Sequence, residues 1–594
     1  MVHVYHSGGC DSARPVTAAV TGENAPRQGG PTLPKAVHEG VGLELGWWLD
    51  RIGRRISACS FFRLVGGWSV AVVRLTRLVK LAVLVPVVAV SVSVLPAAAG
   101  AVPRSGPARS CASLTGLSIA NTAIDSAVVV PASGATPEYC AVRATVSNPP
   151  TYSNAVRVGV FLPTRGWNGR FVGTGGGGFS GGNPNSPDAA MVQAGYATAG
   201  TDAGHAGASG SFALNADRTL NWPRIDDFGF LGIHNMTVVA KEVVNAFYGK
   251  AAEYSYFNGC STGGRQGLIE AQRYPTDYDG IAAASPAINS QLLRTVQAWG
   301  QMQMQLAGNF LPQCKFDAFN QAAITACDNL DRVTDGIISD WKSCQYDARR
   351  LVGTVTPCGT ITAADADIVN KIWQGPVDPK GNSLWFGLLR GTRFNGLNNT
   401  VTTADGTTTG SPFAAMNDWY RYFLNQDPNW DWRTLTYDQF LRAFQQAGSQ
   451  YADFDVTAAD RIDLTPYRDA GGKLVMWAGA SDEVVYQQGT VDYYERVKAT
   501  VGGAKETEKF ARFFFAPGVE HCGGGVGAEP TNAFQAVVDW VEHGKAPSQL
   551  TGEKVDADGN VVMTRPVCMY PQVASYKGKG DTNTARNFQC KNSF

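Results

Sequence analysis

Residues 256–267 read YFNGCSTGGRQG, and this short stretch decides the fold that the sequence predicts. Its centre, Gly259-Cys260-Ser261-Thr262-Gly263, is the G-x-S-x-G pattern that displays a nucleophilic serine on a sharp turn between a strand and a helix. The apolar residues before it are typical of a strand, and TGGRQGLIEAQRYP is typical of a helix that ends before Pro275. We therefore expect Ser261 to be a catalytic nucleophile.

Strand and helix patterns alternate around this turn, from about residue 155 to residue 290. Such alternation predicts an α/β fold with a doubly wound, mostly parallel sheet, and together with the G-x-S-x-G turn it is typical of the α/β-hydrolase fold. Irregular, aromatic-rich sequence interrupts the alternation, which returns with GGKLVMWAGASDE. We expect a hydrolase domain in two parts, 102–287 and 464–594, that carries a large inserted lid domain, 288–463.

The serine needs a base to take its proton and a carboxylate to orient that base. Asp482 follows the apolar strand KLVMWAGA, at the strand end where active-site residues of open α/β sheets gather. His521 follows the strand FFFAP in a Gly-rich loop. Ser261, Asp482 and His521 have the chain order of the α/β-hydrolase triad. His205 remains an alternative base, while two further histidines lie in predicted amphipathic helices, His234 and His543.

A cysteine stands beside each of the two reacting residues: Cys260 precedes Ser261, and Cys522 follows His521. If Ser261 Oγ and His521 Nε2 form a hydrogen bond, the neighbouring cysteines come within disulfide reach. A Cys260–Cys522 bridge would then hold base and nucleophile in register. Ten cysteines follow residue 101, an even number that favours disulfides in an exported chain. No C-x-x-C pair occurs, which argues against a cysteine zinc site.

The oxyanion hole needs two N–H donors. One is the amide of Thr262, and the other is expected from the loop 175–178, with Gly177 as the first choice. The same loop also fits the G-x-G-x-x-G dinucleotide fingerprint. That pattern should open an apolar helix, but FSGGNPNSP follows it, so a dinucleotide fold is disfavoured.

An export signal is predicted upstream of the hydrolase domain. Basic residues from Arg74 to Lys80 precede the run LAVLVPVVAVSVSVL, and Ala99-Gly100-Ala101 fits a signal-peptidase site. Residues 1–101 are therefore interpreted as a leader; either translation starts at a later codon, such as Val70 or Val73, or the leader is unusually long. The protein is expected to be secreted, with no membrane segment after removal of the signal. Lys plus Arg and Asp plus Glu number 50 each, so no basic footprint for nucleic acid is present.

Two segments, YFNGCSTGGRQGLIEAQRYPTDYDGI and APGVEHCGGG, resemble the tannase and feruloyl esterase family, which includes mono(2-hydroxyethyl) terephthalate hydrolases. The resemblance extends from about Cys111 to Cys590. It implies the triad order and the active-site disulfide inferred above, and a lid that supplies the acyl pocket. It also supports three further disulfides, Cys111–Cys140, Cys327–Cys344 and Cys568–Cys590, and leaves Cys314 and Cys358 either bridged or free.

The segment CDNLDRVTDGIISD, residues 327–340, resembles the family's calcium-binding segment in the lid. Its aspartates offer the hard carboxylate oxygens that Ca²⁺ prefers, on a tight loop with a glycine. The resemblance adds two backbone carbonyls. The expected ligands of a structural Ca²⁺ are Asp328, Asp331, Val333, Asp335 and Ile337.

These features predict a serine esterase that acts on aromatic carboxylic esters through an acyl-enzyme. Feruloyl or other hydroxycinnamoyl esters are the first choice, gallate esters the second and terephthalate monoesters the third. The terephthalate enzymes carry a Phe shortly after the triad Asp, where this chain has Glu483-Val484-Val485. A calcium-dependent binding module on an inactive hydrolase scaffold is the non-enzymatic alternative.

Overall fold

The fold is built around one large sheet, which the strands before and after the nucleophile turn share. The computed structural model describes residues 106–147, 155–451 and 459–592. The predicted leader, residues 1–101, with its signal segment and its proposed start sites, lies outside these residues.

Eighteen strands occur within the described residues. They are β1 (Thr122–Val130), β2 (Tyr139–Ser147), β3 (Ala155–Pro163), β4 (Arg170–Thr174), β5 (Ala197–Thr201), β6 (Tyr254–Cys260), β7 (Gly280–Ala284), β8 (Val355–Thr356), β9 (Gly359–Thr360), β10 (Thr400–Thr402), β11 (Thr408–Gly410), β12 (Lys473–Gly479), β13 (Ala511–Ala516), β14 (Glu529–Pro530), β15 (Gln549–Val555), β16 (Val561–Cys568), β17 (Val573–Tyr576) and β18 (Phe588–Lys591).

Fourteen α-helices accompany them in the same part of the chain. They are α1 (Ala189–Gln193), α2 (Trp222–Asp226), α3 (Gly232–Tyr248), α4 (Thr262–Arg273), α5 (Ser290–Val296), α6 (Trp299–Ala307), α7 (Gln313–Cys327), α8 (Ala363–Gln374), α9 (Ala414–Asp418), α10 (Tyr437–Gln450), α11 (Thr465–Asp469), α12 (Gln487–Val501), α13 (Ala504–Thr507) and α14 (Ala533–His543).

The large sheet has nine strands in the order β1-β2-β3-β5-β4-β6-β7-β12-β13. Every neighbouring pair from β5 to β13 is parallel. The prediction of a mostly parallel α/β sheet is therefore confirmed. The strands β1 to β3 form an antiparallel meander at one edge, and β3 pairs antiparallel with β5. The sequence analysis did not describe β1 and β2, which precede residue 155, where the recognised alternation begins.

Helices cover both faces of the parallel strands, as the term doubly wound requires. Successive residues of a strand point to opposite faces. Phe257 of β6 packs in one core with Leu268 of α4, whereas the preceding residue, Tyr256, packs in a second core with Trp540 of α14. Because both faces are buried, the parallel strands read as continuous apolar runs rather than as an alternation.

The chain between β7 and β12 forms most of a third hydrophobic cluster, in which Trp419, Tyr420 and Phe423 are almost fully buried. Phe179 and Phe228, from before β7, belong to the same cluster. Among the described residues of the stretch between β7 and β12, none joins the nine-stranded sheet. The predicted lid boundaries, 288–463, stay a prediction.

Ten cysteines of the described residues form five disulfides, in agreement with the expectation for an exported chain. The pairs are Cys111–Cys140, Cys260–Cys522, Cys314–Cys358, Cys327–Cys344 and Cys568–Cys590. Cys314 and Cys358, for which the sequence left two alternatives, are bridged. No helix in the described part of the chain combines the length and the apolar character that crossing a bilayer demands.

A buried ion pair fixes the C-terminal helix α14 to the sheet. Glu542 of α14 accepts hydrogen bonds from Arg170 Nε on β4 at 2.5 Å and from the Tyr256 hydroxyl on β6 at 2.7 Å. The Glu542 side chain is only 5% exposed, and its second oxygen also contacts the Arg170 guanidinium. One carboxylate thus joins a helix to two neighbouring strands.

We expect Glu542→Ala to lower the free energy of unfolding by about 3 kcal/mol, because it leaves the Arg170 charge partly buried without a partner. Urea unfolding measures this loss. Gln535→Ala, on the exposed side of the same helix, should change the value by no more than about 0.5 kcal/mol. Equal losses in the two variants would contradict the structural role of the ion pair.

Candidate active site

The serine turn connects β6 to α4 with an unusual backbone conformation. Ser261 has φ 60° and ψ −120°, a region that residues with a side chain rarely adopt. A Cβ atom added at Gly259 would lie 2.6 Å from the carbonyl carbon of Gly263, so neither position of this close approach tolerates a side chain well. The G-x-S-x-G pattern therefore reflects a steric need. It places Ser261 at the carboxyl end of a central strand, ahead of the first turn of α4.

Asp482 and His521 lie in the loops that follow β12 and β13. His521 Nδ1 is 2.9 Å from Asp482 Oδ2. The other carboxylate oxygen of Asp482 accepts the backbone N–H groups of Val484 at 2.9 Å and Val485 at 2.7 Å. Asp482 is 1% exposed, so these bonds fix it firmly. The carboxylate is thus held in position to orient the imidazole.

The electrostatics of the pair affect His521. Burial lowers the pKa of His521, but the charge of Asp482 and the hydrogen bond to it outweigh burial, and the pKa lies above its ordinary value. Glu483, which the sequence analysis did not assign to the site, acts in the same direction. Its Oε2 also accepts the backbone N–H of His521 at 3.2 Å and so fixes the histidine loop.

Ser261 and His521 line one cavity of about 560 Å³. Asp482 lies behind His521 and does not contribute to the wall. Two residues of the predicted triad, Ser261 and His521, therefore line one space, and the third, Asp482, is buried and contacts His521. This arrangement can deliver a proton from Ser261 to His521 while Ser261 attacks an electrophile in the cavity.

The Cys260–Cys522 disulfide forms part of the same cavity wall. The two Cα atoms are 5.8 Å apart, and 262 positions separate the residues in the chain. Cys522 has φ 63°, so the backbone on the histidine side of the bridge also lies in the left-handed region. The bridge joins the turn that carries Ser261 to the loop that carries His521.

The glycine loop after β4 lies opposite the serine turn. Gly176 donates its N–H to Gln266 Oε1 at 2.9 Å, which removes that amide from the candidates for an oxyanion donor. The Gly178 carbonyl accepts bonds from Thr262 Oγ1 at 2.7 Å and from Arg294 Nη2 at 2.9 Å. Gly177, the predicted donor, lies in the wall between these two anchored positions.

The remaining wall residues were not predicted. They come from the chain after β7 and after β12, and they are Ala287, Leu293, Arg294, Gln297, Phe413, Val484 and Val485. Phe413 is the phenyl side chain among them, whereas Trp419 belongs to the buried cluster of the inserted stretch. No motif marks Phe413, because its position depends on the packing of an irregular segment.

The other histidines lie elsewhere. His205 is buried, with Nε2 close to the Phe179 carbonyl and its ring stacked on Phe212. His234 contacts Asp277 through Nδ1 at 2.7 Å, and His543 is the last residue of α14. None of the three lines the cavity that contains Ser261.

The predicted calcium loop contains buried acidic groups. Asp328 and Asp331 are 6% and 5% exposed, and Asp335 contacts Arg565 at 2.6 Å. Three ionised carboxylates and one guanidinium sum to a charge of −2 (−3 + 1), which a divalent cation would balance.

The space and the donor set also fit a hard cation. A cavity of about 20 Å³, enough for a single ion or water, lies against Asp331, Asp335 and Ile337. The oxygen donors are of the type that Ca²⁺ prefers, although Arg565, which contacts Asp335, lines the same cavity. No choice of one oxygen from each of the three carboxylates brings all three oxygens within 4.8 Å of one another. Ion binding would therefore require the carboxylates to move closer together.

Comparisons with known proteins identify the family of this chain. The family described as "Tannase and feruloyl esterase" matches residues 141–591. A curated protein of Arthroderma benhamiae named "Probable feruloyl esterase" is 40% identical over 468 residues, which cover 77% of this chain and 86% of that protein. Feruloyl esterase B of Aspergillus niger is 32% identical over 452 residues, with coverage of 72% and 82%.

Solved structures give the same answer for the fold. The crystal structure of feruloyl esterase B from Aspergillus oryzae superimposes with a TM-score of 0.70 at 27% identity and covers 81% of this chain and 99% of that one. The resemblance inferred from the sequence is confirmed. The chain belongs to the tannase and feruloyl esterase family and is a carboxylic ester hydrolase with an α/β-hydrolase fold.

Proposed function

We propose that this protein is a secreted serine esterase that hydrolyses aromatic carboxylic esters of the feruloyl and hydroxycinnamoyl type. One observation carries the proposal: Ser261 and His521 face a single cavity, with Asp482 hydrogen-bonded behind His521. The names of the relatives at 40% and 32% identity support the feruloyl substrate class. The five disulfides support export to an oxidising compartment, and the leader predicted from the sequence would direct that export.

The chemistry proceeds in two acyl-transfer steps. His521 Nε2 takes the proton of Ser261 as Oγ attacks the ester carbonyl, and Asp482 stabilises the imidazolium. The amides of Thr262 and Gly177 bind the oxyanion, while the protonated His521 gives its proton to the departing alcohol. A water molecule, activated by His521, then attacks the acyl-enzyme and releases the carboxylic acid. The Thr262 and Arg294 bonds to the Gly178 carbonyl keep the glycine loop in place during both steps.

The wall of the cavity favours a planar, mostly apolar acyl group. Phe413, Leu293 and the two valines 484 and 485 provide apolar surface around Ser261. Phe413 can pack against an aromatic ring in an edge or offset arrangement. It thereby supplies the ring contact that the missing Phe after Asp482 would otherwise make.

Calcium is assigned a structural role in this proposal. Asp328, Asp331 and Asp335, with the carbonyls of Val333 and Ile337, would hold the ion on the loop after α7. None of these residues lines the cavity of Ser261. When bound, the ion would neutralise the buried carboxylates and stabilise the inserted stretch.

The substrate class is tested with a matched ester panel: methyl ferulate, methyl gallate, mono(2-hydroxyethyl) terephthalate and an aliphatic acetate ester. We expect kcat/KM for methyl ferulate to exceed that for the acetate ester by at least about tenfold, because the acetyl group cannot fill the cavity. Ser261→Ala serves as the blank. A calcium-loaded, folded sample without any Ser261-dependent turnover would refute the esterase proposal and favour the binding-module alternative.

The pH profile tests the role of His521. The base must be neutral, and its pKa is raised, so kcat/KM should fall as the pH drops through a value above 6.5. Asp482→Asn removes the charge that favours the imidazolium, so the acid limb should move to lower pH while kcat falls by about 10⁴-fold. Asp367→Asn, at an exposed ion pair with Arg349, is the control and should leave the profile unchanged. An acid limb that does not move in Asp482→Asn would contradict the assignment.

Removal of calcium should destabilise the fold. We expect chelation to lower Tm by about 3 °C, and added Ca²⁺ to restore it, because an ion at 100 times its Kd contributes about 2.7 kcal/mol. Asp331→Asn should reduce this Ca²⁺-dependent shift. Asp340→Asn, on the same segment but outside the proposed ligand set, should retain it. A Tm that is insensitive to both chelator and Ca²⁺ would rule out a structural ion.

A further inference from the structure

A second cluster of ligand-type side chains lies outside the active site, between α3 and the end of α4. It consists of His234 on α3, Glu270 on α4 and Asp277 in the turn after α4. One ligand atom from each lies within 4.8 Å of the others, and no other set of three His, Cys, Asp or Glu residues in the described chain meets this limit.

Glu270 is the unusual member of the cluster. It is fully buried, and neither of its carboxyl oxygens has a hydrogen-bond donor. The group it faces is the carboxyl of Asp277, which is also an acceptor when ionised. Two carboxyl groups that face each other in the interior need a proton or a cation between them, because unpaired buried charge is strongly unfavourable.

The third ligand favours a cation. A shared proton would satisfy Glu270 and Asp277 alone, whereas the imidazole of His234 also converges on the pair, with Nδ1 2.7 Å from Asp277 Oδ2. The ring is held there by stacking on Tyr274, with centroids 3.8 Å apart and planes at 7°. Such outer contacts are what fix a metal-binding histidine in position.

The ammonium group of Lys241 lies beside the cluster, and its single charge acts on both carboxyl groups. Lys241 Nζ donates a hydrogen bond to the backbone carbonyl of Asp277, and so it braces the turn that carries this ligand. The cluster is also open on one side, since the side chains of His234 and Asp277 are 29% and 13% exposed. An ion and its remaining water ligands can enter from that side.

We propose that His234, Glu270 and Asp277 form a binding site for a divalent transition-metal ion, with Zn²⁺ as the best match. One imidazole nitrogen and two carboxylate oxygens are ligands that Zn²⁺ accepts, with water completing the coordination. The all-oxygen loop around Asp328 suits Ca²⁺ instead, so the two sites differ in metal preference. None of the three residues lines the cavity of Ser261. The ion would join α3 to the C-terminal end of α4, the helix that follows Ser261.

The test is zinc titration of the intact, calcium-loaded protein by isothermal calorimetry, with thermal unfolding as a second readout. We expect one Zn²⁺ site and a rise in Tm. Glu270→Gln and His234→Gln should each weaken binding by at least about tenfold. Two control variants should bind as the parent does: Glu242→Gln, exposed on the same helix α3, and His543→Gln, which removes a histidine outside the cluster.

Two results would overturn the site. One is the absence of binding heat and of any Tm change at millimolar Zn²⁺. The other is binding that keeps its full strength in both Glu270→Gln and His234→Gln. If these variants fail to fold, zinc-edge anomalous diffraction from the parent protein decides the question: a peak among the three side chains supports the site, and a peak only elsewhere refutes it.

Discussion

The constraint on which the active site depends is the distance between the strands that carry its parts. Ser261 follows β6 and His521 follows β13, with β7 and β12 between them in the sheet. Three strand spacings separate β6 from β13 by about 14 Å, so the histidine loop must return across the end of β12 to reach the serine. The Cys260–Cys522 bond holds this loop against the serine turn. Asp482, at the end of β12, contacts the imidazole of His521 in the same loop.

The same geometry explains how the chain accommodates a long insertion. β7 and β12 are parallel neighbours in the sheet, although about 190 residues separate them in sequence. The insertion forms most of a third hydrophobic cluster, and its first helix, α5, contributes the cavity residues Leu293 and Arg294. The sheet therefore positions the reacting groups, while the insertion supplies much of the surface around the acyl group.

The sequence allowed prediction of those features that depend on local contacts. The serine turn was recognisable because Gly259 and Gly263 meet within a single turn, and the parallel strands were recognisable because burial on both faces leaves continuous apolar runs. Phe413 and Arg294 could not be placed, since their positions depend on packing between distant segments. The Cys314–Cys358 pair also lies outside local reach, and two cysteines 44 positions apart carry no signal of their own.

The anchoring of the glycine loop has a consequence for how the enzyme can diversify. The Gly178 carbonyl accepts one hydrogen bond from Thr262, on helix α4, and another from Arg294, in the insertion. An insertion of different shape could therefore change the substrate range without releasing the glycine loop only if it kept a hydrogen-bond donor equivalent to Arg294. The insertion is coupled to the rest of the chain elsewhere too, through Gln297 to the Val484 carbonyl and through Arg393 to Glu520, so a library that varies the insertion should hold these residues and Arg294 constant.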